Sequence, residues 1–259
     1  MIRIIKDSYP PEVRFVAANH PKKEFIKWVV AQSKVLHDFA TNPVPFQDGT
    51  YTFSQDYGRE QFRKALEKCQ GPKCCFCEKP IHGGAIEHFR PKKAWQQTRG
   101  TAFTRPGYYW LAYRWSNMLI SCTECNQADQ KGNYFPVTGF RAVSPTDNYN
   151  AEVKTILNPA EEDPAIDISF SGSLPFHKTP RGQLNIEIFK LDTRGDIISI
   201  RKDRFDLYYT LKEIASMLAP SGSYTQHRIN EARKFINKAA SRKAPFAGMI
   251  NENKKNGIL

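Results

Sequence analysis

The chain has 259 residues, of which 40% are hydrophobic and 12% aromatic, a composition that excludes a disordered protein. No apolar run approaches the roughly 18 residues that span a bilayer, which excludes a transmembrane protein. The net charge of +12 is concentrated in residues 61–140, with 12 Lys/Arg against 5 Asp/Glu, and in residues 195–259, with 12 against 6. Such an excess attracts phosphate backbones, so nucleic acid is a candidate partner beside the plainer interpretation of a basic surface.

Residues 1–15 have neither the long apolar segment nor the small-residue cleavage site of a signal peptide, so we expect a cytoplasmic protein. Apolar periodicity predicts helices over residues 22–40 and 57–69, with a loop over residues 42–56 between them. The first helix is expected to pack one stripe of side chains into the core. That stripe consists of Phe25, Trp28, Val29, Leu36 and Phe39.

The aromatic-dense segment 107–116 is expected in the core, with a base-stacking surface as the alternative. Residues 141–182 contain five prolines and are predicted to form loops and short strands. Two further helices are predicted over residues 196–218 and 224–241, followed by a basic tail over residues 253–257. The first of these helices is expected to bury a stripe that consists of Ile197, Ile200, Leu207, Leu211, Ile214 and Leu218.

The six cysteines lie in the first half of the chain, and four of them form two Cys-x-x-Cys knuckles about 45 residues apart. A secreted disulfide scaffold is less favoured, because such scaffolds spread their cysteines along the chain. Two knuckles supply four thiolates in the spacing of a closed, structural zinc site. The sequence therefore predicts a structural Zn²⁺ bound by Cys74, Cys77, Cys122 and Cys125.

Two alternatives remain for these cysteines. Cys75 could replace Cys74 as a ligand, although only one residue separates it from Cys77 and this spacing is poorer. A thioredoxin-like redox pair is the other alternative, but the chain lacks the expected βαβ context. Cys69 is predicted to be a buried free thiol at a helix end.

Polar residues lie between the two knuckles and just after them. Glu87-His88 is followed by Asn117 and, directly after the last cysteine, by Asn126. This order, carried by 87-EHFRP-91, 117-NMLISCTECN-126 and Lys131, resembles the HNH endonucleases of the ββα-metal class. The resemblance implies a β-hairpin and a following helix that hold one divalent cation against a scissile phosphate, with zinc knuckles beside the hairpin.

Phosphodiester hydrolysis needs these residue types, because histidine is a suitable base near neutral pH and oxygen ligands suit Mg²⁺ or Mn²⁺. The resemblance makes His88 the general base and makes Glu87 and Asn126 the ligands of the catalytic cation. It makes Asn117 a brace that orients His88. Glu87 and Asn126 depart from the family pattern, which more often has Asp and His. The residues expected to contact phosphates are Arg90, Lys92, Lys93 and Lys131.

Longer stretches resemble one branch of that class, the small bacterial HNH proteins of the Septu type, which also occur with some retrons in phage defence. These stretches are 73-KCCFCEKPI-81, 86-IEHFRPK-92, 109-YWLAYRWSNMLISCTECN-126, 134-YFPV-137, 157-LNPAEEDP-164 and 244-APFAGMI-250. The resemblance implies a nuclease subunit that acts in antiviral defence with an ATPase partner of the SMC or ABC type. One position departs from it, because Ile166-Asp167 stands where a His is expected after Asp-Pro.

The expected fold is α+β, with a zinc-stapled ββα-metal (HNH) nuclease core wrapped by N-terminal and C-terminal helices. The core is expected over residues 71–140, a helical segment over residues 1–70, and loops, short strands and helices over residues 141–259. The expected function is metal-dependent cleavage of nucleic acid, with DNA as the first candidate substrate. Two alternatives stay open: an RNA- or tRNA-cleaving HNH nuclease, and a zinc-ribbon module that binds nucleic acid without catalysis.

Overall fold

The computed structural model describes residues 1–6, 15–17, 20–21, 23–58 and 60–259. Within these ranges the chain combines helices with small antiparallel sheets, which confirms the prediction of a mixed helix and sheet fold. The ββα-metal core is a finer statement and stays a prediction. None of the helices in the described ranges is long and apolar enough to cross a membrane.

The longer helices lie towards the two ends of the chain, and the strands lie mainly between them. The helices are α1 (Lys23–Thr41), α2 (Val44–Asp48), α3 (Glu60–Gln70), α4 (Thr123–Asn126), α5 (Pro180–Ile188), α6 (Gly195–Ser216), α7 (Tyr224–Ala239) and α8 (Ala247–Lys255). The strands are β1 (Phe15–Ala17), β2 (His20–Pro21), β3 (Ala85–His88), β4 (Met118–Ser121), β5 (Val137–Thr138), β6 (Val153–Lys154), β7 (Ile168–Ser171) and β8 (Leu174–His177). The strands form two-stranded antiparallel sheets, which are β1–β2, β3–β4, β5–β6 and β7–β8.

The pair β3–β4 positions the polar residues predicted from the sequence. Its register places Glu87 opposite Leu119 and His88 opposite Met118. Gln70, the last residue of α3, holds β4 in place. Its side chain donates to the Ile120 carbonyl at 2.7 Å and accepts from the Ile120 amide at 3.1 Å. Helix α3 therefore ends on the hairpin.

One hydrophobic cluster contains buried side chains from all three predicted segments of the chain. The aromatic segment 107–116 lies inside this cluster, which confirms the prediction that it belongs to the core. Phe39 of α1 stacks on Tyr109 with 4.0 Å between ring centroids, and Phe46 of α2 lies 5.3 Å from the same ring. Such pairs add about 0.5–1.5 kcal/mol to the free energy of burial, so they fix the N-terminal helices on this segment. The division into three segments stays a prediction.

The buried face of helix α1 matches the predicted stripe in part, since Trp28 is buried and Phe39 packs against the core. Val29 and Leu36 are exposed, whereas the buried residues are Trp28, Ala31 and Val35. The prediction was wrong for Val29 and Leu36, and it left out the buried Ala31 and Val35. The side chain of Phe25 lies outside the described residues.

The predicted loop 42–56 contains a short helix, α2. Proline stands in its first turn, where the missing N–H leaves no hydrogen bond unmade. The helix ends at Gly49, whose φ of 86° lies in the left-handed region that favours glycine. The segment therefore folds back on α1 through local turn chemistry that the loop prediction overlooked.

Helices α6 and α8 also differ from prediction. Of the stripe predicted for α6, Ile197 is buried, whereas Ile200 and Leu207 are exposed, and the exposed Leu218 lies beyond the end of the helix. The buried residues are Ile197, Arg201 and Tyr208, and a search for aliphatic periodicity misses the last two. The predicted basic tail, residues 253–257, begins inside α8, whose buried Asn253 donates to the carbonyls of Gly172 and Met249.

Candidate functional site

The four predicted zinc ligands meet at one point. The sulfur atoms of Cys74, Cys77, Cys122 and Cys125 lie within 4.8 Å of one another, and all four residues are buried. The Sγ atoms of Cys77 and Cys122 are 3.8 Å apart, which equals the edge of about 3.8 Å that Zn–S bonds of about 2.3 Å give a tetrahedron. The cluster could therefore hold a zinc ion. No other group of three or more His, Cys, Asp or Glu in the described ranges has metal-binding geometry.

Cys75 lies outside this cluster, which resolves the alternative between Cys74 and Cys75. Its amide donates to the Ile120 carbonyl at 2.9 Å, and burial raises the pKa of its thiol well above the usual value. Cys69, predicted to be buried, is half-buried in α3. Both thiols are separate from the metal-binding set, so they serve as internal controls for it.

Arg194 caps the cysteine cluster, a role that the sequence analysis missed. Its guanidinium lies 3.3 Å from the Sγ of Cys77, 3.5 Å from that of Cys125 and 4.0 Å from that of Cys122. The negative sulfurs raise the pKa of Arg194 above its usual value, although burial acts in the opposite direction. Four thiolates around Zn²⁺ carry a net charge of −2, which a planar cation with several N–H donors partly compensates.

Replacing Arg194 by alanine is expected to increase the rate of zinc loss to a competing chelator by about 10- to 100-fold, because outer contacts of this kind tune metal affinity by that factor. Absorbance of a zinc-sensitive dye measures the rate. Arg194→Lys is the matched control, since it keeps the charge but loses the forked geometry, and it should fall between wild type and alanine. Equal rates for all three proteins would show that Arg194 does not act on the metal site.

His88 and Glu87 both line one cavity of about 700 Å³. Neighbouring residues of a strand point to opposite faces, but His88 is the last residue of β3, so its side chain can turn towards the cavity. Asn126, Lys92 and Lys93 line the same cavity. The structure thus brings together five of the predicted site residues.

Hydrogen bonds at both ring nitrogens orient His88, whose Nδ1 lies 3.4 Å from the Nζ of Lys92. Its Nε2 lies 2.8 Å from the carbonyl oxygen of Ala112. A carbonyl only accepts, so Nε2 carries the proton and Nδ1 is the unprotonated nitrogen. Burial lowers the pKa of His88 well below the ordinary value of 6.5, and nearby Lys92 acts in the same direction. The imidazole is therefore neutral near pH 7, the form that can accept a proton.

Asn117 holds the backbone around His88. Its Oδ1 accepts from the Arg90 amide at 2.8 Å, and its Nδ2 donates to the carbonyls of Arg90 and Leu111 at 3.0 and 3.2 Å. Leu111 directly precedes Ala112, whose carbonyl accepts from His88. Asn117 thereby positions both the strand end that carries His88 and the turn that orients its ring. The bracing role expected from the sequence stays a prediction.

Glu87 is a buried carboxylate that forms an ion pair with the fully buried Lys131. Burial raises the pKa of Glu87, and Lys131 counteracts this shift. Lys131 contacts Oε1 of this carboxylate. The Lys131 amine also donates to the His88 carbonyl at 3.2 Å. A carboxylate oxygen and the amide oxygen of Asn126 fit the chemistry of Mg²⁺ or Mn²⁺.

The burial of Lys131 corrects its predicted place on a phosphate-binding surface. Its amine lies inside the protein, where it compensates Glu87 and holds the strand that carries His88. Replacing Lys131 by methionine is expected to lower the free energy of unfolding by about 3–5 kcal/mol, because Glu87 then becomes a buried charge without a partner. Urea denaturation measures this loss. The double variant Glu87→Gln/Lys131→Met should recover most of the stability, and an undiminished single variant would contradict the ion-pair argument.

Arg90 is also buried, so its predicted contact with phosphates is corrected as well. Its guanidinium donates to Glu152 at 2.8 Å, to Glu161 at 3.2 Å and to the Tyr149 carbonyl at 2.9 Å. Glu161 belongs to the stretch 157–164 that carries the Septu-type resemblance. Through Arg90, that stretch therefore holds the chain just after the end of β3.

Lys92 and Lys93 keep the predicted access to the cavity. Lys93 is exposed, whereas Lys92 is half-buried with its Nζ 3.4 Å from the Nδ1 of His88. Burial lowers the pKa of Lys92 to about 8. Asn126 is half-buried at the end of α4. A neutral imidazole, the side chains of Glu87 and Asn126 and two lysines therefore surround a space that admits a phosphate group.

The C-terminal stretch 244–250, the last of the resembling stretches, docks on the first knuckle. The Gly248 amide donates to the carboxylate of the buried Glu78 at 2.9 Å, and the Phe246 amide donates to the Glu78 carbonyl at 3.2 Å. A Cβ on Gly248 would lie 2.5 Å from that carboxylate, so this approach requires glycine. The motif thus connects α8 to the zinc region.

The sequence is similar to that of a Septu protein. The chain is 38% identical over 158 residues to Septu protein PtuB of Bacillus mycoides (strain KBAB4), a match that covers 55% of this chain and 53% of that protein. The chain therefore spans about half the length of this relative. No protein-family model matches the chain, and no solved structure matches it. The similarity confirms the Septu-type resemblance, whereas membership of the HNH family stays a prediction.

Proposed function

We propose that this protein is a metal-dependent HNH-type endonuclease that hydrolyses phosphodiester bonds, with DNA as its substrate. The observation that carries the proposal is the neutral His88, whose Nε2–H is held by the Ala112 carbonyl while Glu87 and Asn126 line the same cavity. A general base beside two oxygen ligands is the set of groups that hydrolysis of a phosphodiester requires. The lysines at the cavity favour an anionic substrate.

Each residue then has a defined task. His88 accepts the proton of the attacking water at Nδ1, and Asn117 keeps its ring oriented through the turn at Leu111. Glu87 and Asn126 would hold a divalent cation, which would supply Lewis acidity at the phosphate. Lys92 and Lys93 attract the phosphate backbone. The four-cysteine site holds the structural zinc. This zinc fixes the β3–β4 hairpin, which lies between the two cysteine pairs in the sequence.

We further propose that the nuclease acts in an anti-phage defence system together with an ATPase partner of the SMC or ABC type. The similarity to Septu protein PtuB supports this role. Helix α6 exposes apolar side chains, among them Ile200 and Leu207, that the core does not use. Exposed apolar area of this kind is a common feature of surfaces that bind other proteins.

Purified protein incubated with plasmid DNA and Mg²⁺ or Mn²⁺ tests the nuclease, alone and with any ATPase encoded beside its gene. Parallel reactions contain tRNA and mRNA, and an identically prepared His88→Ala protein controls for contaminating nucleases. We expect nicking or cutting of DNA that requires the divalent cation. Cleavage of RNA alone would favour the RNA-cleaving alternative. Binding without cleavage of any substrate would favour the zinc-ribbon binding module.

A further inference from the structure

A hairpin-like loop borders the candidate active-site cavity, and neither the zinc site nor the proposed chemistry uses it. Trp95 and Thr104 close it through two backbone hydrogen bonds, of 3.0 Å from Trp95 to Thr104 and 2.9 Å in the reverse direction. Gly100, with a φ of 78°, forms its tip. Both Gly100 and Phe103 line the 700 Å³ cavity. We name residues 95–104 the rim loop.

Phe103 is exposed on the rim loop. It retains 46% of its accessible surface, whereas most aromatic side chains of the neighbouring segment 107–116 are buried. Exposed aromatic area costs hydration free energy unless a ligand covers it. Because Phe103 lines the same cavity as His88, a ligand that covers it would lie beside the proposed reaction site.

The charge around Phe103 matches a polyanion. No Asp or Glu occurs between Glu87 and Glu124. Lys93 and Arg105 are exposed on either side of the rim loop, and neither forms a salt bridge within the described residues. The guanidinium of Arg105 lies 5.9 Å from the centroid of the Phe103 ring. An aromatic side chain with exposed cations beside it is the combination that binds single strands, by base stacking and phosphate contact.

The rim loop is also anchored, so that it presents Phe103 in a defined place. Arg99 donates to the carbonyls of Ala128 and Gln130 and lies over the Tyr134 ring at 4.4 Å. These contacts connect the loop to the segment directly after α4. Asn126 is the last residue of α4. A base stacked on Phe103 is therefore held at a fixed offset from the proposed reaction site.

We propose that the rim loop binds an unpaired strand of nucleic acid, with a base stacked on Phe103 and phosphates held by Lys93 and Arg105. This inference rests on the proposed nuclease function and specifies its substrate class. In a duplex both faces of each base are covered by neighbouring bases, so only an unstacked base offers a face to Phe103. The substrate at the cleavage site is accordingly single-stranded or locally opened.

Binding measured without cleavage tests the proposal. The variants are made in His88→Ala protein, and fluorescence anisotropy follows the binding of labelled single-stranded DNA, single-stranded RNA and duplex DNA of equal length. Phe103→Ala is expected to weaken single-strand binding by about 10-fold or more and duplex binding much less. Phe103→Trp should retain or strengthen single-strand binding. Phe176→Ala is the matched control, because Phe176 is 43% exposed on β8 and does not line the cavity.

Each outcome decides one question. The DNA and RNA arms identify the sugar of the bound strand. Unchanged single-strand binding by Phe103→Ala, or equal losses for single strand and duplex, overturns the inference and leaves the nuclease proposal standing. A parent protein that binds no nucleic acid overturns both. Since Phe103 is exposed, thermal unfolding of its variants should match that of the parent protein.

Discussion

Replacing His88 by alanine is expected to lower the rate of phosphodiester cleavage by a factor of about 100 to 10,000, the contribution typical of general base catalysis. The neutral imidazole offers Nδ1 as the proton acceptor, because its Nε2–H is donated to the Ala112 carbonyl. Alanine removes the acceptor while Glu87 and Asn126 still line the cavity. The rate should therefore fall through loss of chemistry, with substrate binding retained.

Single-turnover cleavage at saturating protein measures the chemical step separately from binding. His82→Ala is the control, since His82 is exposed near the hairpin and does not line the cavity. That variant should cleave at the wild-type rate. If His88→Ala cleaves as fast as wild type, the assignment of His88 as the base is wrong, whatever the identity of the nuclease.

Loss of the four-cysteine site is expected to unfold the hairpin region. Structural zinc contributes apparent free energies of about 10–16 kcal/mol in zinc-finger peptides, as much as the whole stability of about 5–15 kcal/mol of an ordinary domain. Cys122→Ser is the sharpest change, because Cys122 is also the N-cap of α4 and accepts from the Cys125 amide at 3.5 Å. Serine keeps a capping oxygen and loses the metal ligand.

Elemental analysis should find about one zinc per wild-type chain and far less in Cys122→Ser, whose thermal unfolding should begin at a much lower temperature. Cys69→Ser is the matched control, because this half-buried cysteine lies outside the cluster. It should keep both the zinc and the melting temperature. Freshly prepared, unchelated wild-type protein without zinc would contradict the metal site itself.

The four-cysteine cluster could be predicted because its information is local. Two Cys-x-x-Cys spacings each place two sulfurs on one side of a turn, and the structure brings the two pairs together across the β3–β4 hairpin. The alternative between Cys74 and Cys75 was also a question of local spacing, and the structure agrees with the better spacing. The burial of segment 107–116 could also be predicted from the sequence, since aromatic density by itself favours burial.

The charged residues show where local information ends. Arg90, Lys92, Lys93 and Lys131 were all expected to face phosphates, yet Arg90 and Lys131 are buried. Their partners explain the difference, because Arg90 contacts Glu152 and Glu161, 62 and 71 residues away in the sequence. The sequence alone does not distinguish a lysine that compensates a buried carboxylate from a lysine that attracts a phosphate. Only burial separates them.

The sequence by itself determined the order of chemical groups: two thiolate pairs, an acid beside a histidine, and two asparagines that follow. These depend on spacing along the chain, which short-range geometry translates directly into a knuckle or a strand end. The tertiary structure alone decided the tautomer of His88, the pairing of Glu87 with Lys131 and the cap of Arg194, 117 residues from Cys77. Each of these is a contact between segments far apart in the chain, and such contacts form only when packing excludes water and leaves buried charges to be compensated.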